Sequence, residues 1–237
     1  MPPRLASLLS LLQLSDSAFP SGRYTLSYGL ETLVQSGRLP VPAKTSTLTA
    51  LLGDSIRFAA APSDGAALAC AHRAVGADGD VDLDLVVRVD ARLTAVKLPR
   101  EARDASARTG RAVLGTATAA IGGTALHDYT EFVKAGRAGG NHAVVVGLLS
   151  AQLGMPRLEA VAGELYAFSS SWVAAAVRLG LVDHRRAQAV LHRSRDLIAD
   201  AALRVVDREV NQILSCTPLL DVIAMRHEQA GLRLFAT

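Results

Sequence analysis

From Leu165 to Val182 the chain reads LYAFSSSWVAAAVRLGLV, and few folds can accommodate such a stretch. Set on a helix, its apolar residues cover nearly the whole circumference, and a helix apolar all round is normally buried by its neighbours. The apolar run from Leu165 to Val177 is too short to span a bilayer, and Glu164 and Arg178 bound it. The stretch therefore predicts a central helix, Glu164 to Leu181, inside a helical bundle. Its alanines and serines allow neighbours to come close, and each serine hydroxyl can bond back to the carbonyl one turn earlier. The only tryptophan of the chain, Trp172, sits at its middle.

Composition supports an all-α protein. Half of the 237 residues are apolar but only 4% are aromatic, and alanine, leucine, valine, arginine and aspartate dominate. The length suits one core, so the expectation is a single all-helical domain over residues 1–237 with about ten helices. A net charge of +3 is too mild to imply nucleic acid unless the charges cluster. The densest basic patch, Arg185, Arg186, His192, Arg193 and Arg195, is interrupted by Asp183 and Asp196, as on a solvated helix face, with a surface for an acidic partner as the alternative. Cys70 and Cys216 stand far apart without metal-ligand spacing, which suits reduced thiols in a cytoplasmic protein. The first residues faintly resemble a signal peptide, but Gln13 breaks the apolar run and no small-x-small site follows. Export and membrane insertion are not expected.

Taken in order, helices are predicted over Leu5 to Leu14, Tyr24 to Gln35, Thr45 to Ala61 and Pro62 to Val75, the last opening on proline. The stretch Asp80 to Val89 alternates like a strand, yet no second such run could pair with it, so it is read as helix. Further helices follow over Arg100 to Ala119, Ala125 to Ala135 and His142 to Leu153. Arg185 to about Leu214 and Leu219 to Gly231 complete the set. Glycines and asparagine at Gly136 to Asn141 invite a phosphate-loop reading. No GxxxxGK[ST] pattern, preceding strand or placed lysine supports it, and a tight turn is the simpler reading.

No side-chain pattern promises catalysis or a metal site. His227-Glu228 begins like HExxH, but Gly231 stands where the second histidine belongs. His184 and His192 lie on one face about 12 Å apart, too far for one ion. No G-x-S-x-G occurs, and Asp82 and Asp84 point to different sides of a helix. Catalytic residues, metal ligands and cofactors are all expected to be absent. A helical DNA-binding regulator using Arg185 to Arg195, or a helical metalloenzyme using His184 and His192, remain as alternatives from composition.

Two stretches narrow this: LLQLSDSAFPSGRYTLSYGLE from Leu11 to Glu31, and TPLLDVIAMRHE from Thr217 to Glu228 with Arg233-Leu-Phe235 after it. Together they resemble the two ends of the urease accessory protein UreF family, which opens on an LQL…LPxGxFSYSxGLE-type motif and closes on PxxDxxxxxHE…RLF. The helix from Pro99 to Arg111, the loop from Gly136 through His142 to Gly147, and Ser170 to Leu179 also fit in order. This chain departs at Arg23, where the family usually has a small residue. It departs again at Leu26, at Gly139, in lacking a tyrosine before RLF, and at Ala236-Thr237.

The resemblance implies an all-α, homodimeric protein without activity of its own. Such a protein would join a UreD-type (UreH-type) accessory protein and a UreG-type P-loop GTPase to deliver nickel to apo-urease. By motif position it implies that Asp221, Arg226, His227, Glu228, Arg233, Leu234 and Phe235 dock on the UreD-type partner. Tyr24, Tyr28, Glu31 and Arg178 are implied for the GTPase-facing or dimer surface. Two plainer readings stay open: an internal ion pair between Glu31 and Arg178, and packing or capping by His227 and Glu228.

Overall fold

The computed structural model describes residues 2–16, 18–228 and 234–236. Its α-helices are α1 (Pro3–Ser15), α2 (Leu30–Gln35), α3 (Thr45–Ser55), α4 (Ala66–Arg73), α5 (Leu83–Val96) and α6 (Arg100–Ala120). They continue with α7 (Thr124–Lys134), α8 (His142–Gln152), α9 (Arg157–Arg178), α10 (His184–Arg193), α11 (Arg195–Val205) and α12 (Pro218–His227). The fold is an all-α bundle. The one β-type contact among the described residues is a bridge between Val75 and Val81. That bridge accounts for the strand-like start of the ambiguous segment; Asp82 then caps α5 by accepting from the Leu85 N–H at 2.9 Å. Among the described residues, no helix is long and apolar enough to cross a membrane.

Helix α9 begins at Arg157, a full two turns before Glu164, and buries Trp172 to 1% exposure. The most completely enclosed helix is its neighbour α8, buried from His142 through Ser150. Helix α8 lies directly against α4, and Gly147 makes that possible: a Cβ there would fall 2.5 Å from the Leu68 carbonyl oxygen.

Besides the early start of α9, and α5 running from Leu83 to Val96 where Asp80 to Val89 was expected, three helix boundaries differ from those expected, each for a local reason. The segment Tyr24 to Gln35 is not one helix: Tyr28 takes φ 54° and Gly29 φ 82°, so a short 3-10 turn (Arg23–Thr25) and α2 are separated. The break expected at Pro62 does not occur. Instead the chain widens into a π-helical stretch, Ile56–Gly65, that joins α3 to α4 without interruption. Proline lacks a donor and crowds the carbonyl a turn before it. The Phe58 and Pro62 carbonyls are used from outside, by the N–H groups of Cys216 (2.9 Å) and Leu214 (3.0 Å). The long helix expected from Arg185 splits at Ser194, whose hydroxyl bonds back to the Val190 carbonyl at 3.0 Å, and helix ends at Val205.

The glycine-rich loop is clamped from below. Asp90, 2% exposed on α5, accepts from the N–H groups of Gly139 (2.6 Å) and Asn141 (2.8 Å), the Asn141 amide (3.0 Å) and the Tyr129 hydroxyl (2.8 Å). Burial and the adjacent Asp90 carboxylate push the Tyr129 hydroxyl up, which keeps it a donor. Gly110 of α6 presses on the same loop, where a Cβ would lie 1.9 Å from the Gly140 oxygen. The loop is a packed corner of the fold rather than a phosphate cradle.

Candidate docking site at the joined chain ends

Short α2 places Glu31 in the interior, 1% exposed, although a carboxylate is seldom buried without partners. Among the described residues, all but one of its partners come from the other end of the chain. Oε2 faces His227 Nε2 at 3.1 Å and accepts from the Phe235 N–H at 3.1 Å. Oε1 accepts from the Leu234 N–H at 2.8 Å and from Gln35 at 3.1 Å. The second ring nitrogen of His227, Nδ1, faces Glu101 Oε2 on α6 at 2.7 Å. Both His227 contacts are hydrogen bonds only when both ring nitrogens carry hydrogen.

Next along, Glu228 completes α6. That helix starts after Pro99, which has no side-chain cap to offer. The Glu228 carboxylate accepts from the Arg100 N–H at 2.8 Å, and its other oxygen lies 3.7 Å from the Arg100 guanidinium. An acceptor and a negative charge at a helix N-terminus satisfy both its orphan N–H groups and its dipole.

Arg178, at the end of α9, closes the junction. Its guanidinium lies 4.0 Å from the Tyr24 ring centroid and 4.5 Å from that of Phe235, and it donates to the Tyr24 carbonyl. The Ala236 N–H bonds the Thr25 carbonyl at 2.8 Å, fastening the tail beside the first motif. Tyr28 packs edge-on against Phe168 at 4.9 Å.

The two residue groups suggested by the sequence thus form one junction rather than two surfaces. Glu31, His227 and Phe235 are its buried part, with Glu228 partly covered. Tyr24 (71% exposed), Arg226 and Leu234 (82%) face outward. Asp221 is partly buried near Thr217, and burial pushes its carboxyl up. Arg233 lies outside the described residues. Glu31 and Arg178 form no ion pair with each other among the described residues, whereas His227 packs and Glu228 caps.

Sequence reasoning missed two features. One is the exposed apolar stripe on α12, Leu219, Val222 and Met225, matched on α1 by Leu5, Leu8, Leu9 and Leu12. Spacings of three and four residues were the available signal. The other is a buried ion pair at the first motif: Arg23 grips Glu164 bidentately at 2.8 and 3.0 Å, with His142 Nε2 3.2 Å from Arg23. Burial alone would raise the Glu164 carboxyl, but Arg23 and His142 outweigh it and hold the pKa at about 2. The departure of Arg23 from the family motif was the clue. A cavity of about 220 Å³ separates this pair from α12, lined by Leu220 and Ala224 on one side and Leu165 and Phe168 on the other.

Among the described residues, no three His, Cys, Asp or Glu side chains gather in a group able to hold a metal ion. His192 instead meets Arg195 at 3.1 Å. The arrangement is one of contact and fastening.

A family model described as UreF matches residues 43–195. The chain is 31% identical over 228 residues to a urease accessory protein UreF of Arthrobacter sp. (strain FB24), covering 96% of each. It is 30% identical over 233 residues to that of Trichodesmium erythraeum, covering 98% of this chain and 97% of the relative. A urease accessory protein UreF 2 of Brucella canis is 31% identical over 233 residues, covering 98% and 92%. The model match leaves both terminal motifs outside, whereas the pairwise likenesses run over nearly the whole chain.

Proposed function

The chain belongs to the UreF family of urease accessory proteins, and from that premise we propose that it is a non-catalytic adaptor of urease maturation. In this reading it bridges a UreD-type (UreH-type) protein and a UreG-type GTPase, so that GTP hydrolysis is coupled to nickel insertion into apo-urease. The exposed residues of α12 and the tail, Leu219, Val222, Met225, Arg226 and Leu234, meet the UreD-type partner. Tyr24 and Arg178 face the GTPase or a second copy of the chain.

The observation that carries the reading is the joining of the ends. His227 and Phe235 are spent on holding α12 and the tail to Glu31, which leaves an apolar stripe turned outward beside Arg226. Apolar side chains ringed by an arginine are what a protein partner desolvates and pairs with. Buried His227 and Phe235, with the partly covered Asp221 and Glu228, contribute by fixing that face rather than by touching the partner.

The test is a charged substitution on the stripe. Leu219→Glu with Met225→Glu should leave the helical circular-dichroism signal intact and abolish co-purification with the UreD-type protein. A Leu203→Glu control, at an exposed position of α11, should still bind. Undiminished binding by the α12 variant would refute the placement.

A further inference from the structure

The π-helical stretch turns two different faces to two different places. Ala59, Ala60 and Ser63 line the cavity beneath α12, whereas Arg57 and Phe58 face the other way, into an open groove of about 360 Å³ against α11. Helix α11 supplies the far wall through Asp200 and Arg204, four residues apart on one face, and Arg208 follows just beyond the helix end. The floor is apolar, with Ala61 and Leu197. We propose that this groove docks an acidic segment of a protein partner, its carboxylates on the arginines and an apolar side chain on Phe58.

Three observations carry the inference. First, the arginines are uncommitted. Arg57 and Arg204 are exposed and have no hydrogen-bond or ion-pair partner among the described residues, and Arg208 in the groove makes only a 3.4 Å contact to the Gln212 carbonyl. Against these three guanidinium groups the groove holds one carboxylate, Asp200. Second, Phe58 is 50% exposed and lines the groove with them, although apart from it and Arg57 the stretch is well covered. The widened helix puts it there, and the bond from the Cys216 N–H to the Phe58 carbonyl holds that backbone in place. A rigid aromatic ring flanked by arginines is the composition of an interface centre.

Third, the charge pattern selects the occupant. A guanidinium fork fits a carboxylate in two-point contact. A phosphate polymer is disfavoured by Asp200 within the groove and by a net charge of only +3 over the chain. Exposed ion pairs are individually weak, so Phe58 and the apolar floor supply the anchor and the arginines the selectivity. The groove lies across the helix from α12, so this site is separate from the docking face proposed for the chain ends. Failure of either leaves the other standing.

The test uses the full-length protein and a dye-labelled peptide of glutamates and leucines, followed by fluorescence anisotropy. Saturable binding should weaken as salt is raised. Arg57→Glu with Arg204→Glu should weaken it by about tenfold or more, and Phe58→Ala by severalfold. The exposed pair Arg185→Glu and Arg186→Glu should leave it unchanged. All the altered side chains are solvent-exposed, so each variant should keep the helical circular-dichroism signal. The proposal is overturned if the peptide does not bind, if a lysine-for-glutamate version binds equally, or if the Arg185/Arg186 variant loses as much. Displacement of the peptide by duplex DNA at lower concentration than by unlabelled peptide would overturn it in favour of nucleic acid.

Discussion

The contact of α4 with α8 and the junction of the two chain ends are both deeply buried, and they are built from opposite materials. Between α4 and α8 the facing groups are alanine, valine, leucine and a glycine whose missing side chain lets the backbones touch. At the junction the filling is two carboxylates, one imidazole and the peptide N–H groups of Leu234 and Phe235. Apolar packing is graded and non-directional, so each methylene removed costs in proportion. A buried polar network is complete or it is expensive, because a group left without its partner bears the whole cost of desolvation. The first contact therefore sets whether the bundle exists, and the second sets where its ends lie.

If that division is right, damage to the two regions should be felt in different measurements. The largest global loss is expected from Trp172→Ala, about 3–5 kcal/mol in urea unfolding, since the ring is enclosed on all sides. A near-neutral result would remove α9 from the core. Somewhat smaller is the acid sensitivity of the Arg23–Glu164 pair. Folding lowers the Glu164 pKa from 4.5 to about 2, so as pH falls the unfolded chain takes up the proton first. The stability this pair confers is whole above about pH 4.5 and is lost as pH falls towards 2, a difference on the order of 3 kcal/mol. Glu164→Gln should flatten that part of the stability-against-pH curve, and an unchanged slope would contradict the assignment.

Glu31→Gln should sharpen the contrast. It removes the charge facing His227, and we expect the amide protons of Leu234 and Phe235 to exchange at least about tenfold faster while those of α8 keep their protection. Equal acceleration in both places would show that the ends and the core unfold as one unit. The smallest effect should come from Tyr24→Ala. It removes one of the two rings on Arg178, worth about 0.5–1 kcal/mol at an exposed site, and should appear in tail exchange rather than in the unfolding midpoint.

The sequence made the helices legible wherever local chemistry decides them. Helix α6 was expected from Arg100 to Ala119 and ends at Ala120; α8 was expected to Leu153 and ends at Gln152. Apolar periodicity and glycine stops suffice there. Three boundaries went astray where one residue's backbone angle or local bond overrides propensity. Tyr28 adopts a backbone angle unusual for its type, Pro62 is carried through by a widened helix, and Ser194 interrupts what reads as one long helix. The site was half legible. Motif resemblance named Glu31, His227, Phe235 and Arg178, but no spacing rule joins residues 196 apart, so only the folded structure reveals that His227 and Phe235 meet at the Glu31 carboxylate. Arg57 and Phe58 sat unnoticed within an expected helix, because facing outward is not written in a pattern read one segment at a time.

The Glu228 carboxylate sits over the start of α6, and this gives the last helix a lever on the middle of the molecule. Lifting α12 would leave the opening turn of α6 without its stopper and free it to fray. That same helix leans on the Gly140 corner through Gly110, so a tug at the chain terminus is transmitted along a rigid rod to the far side of the bundle.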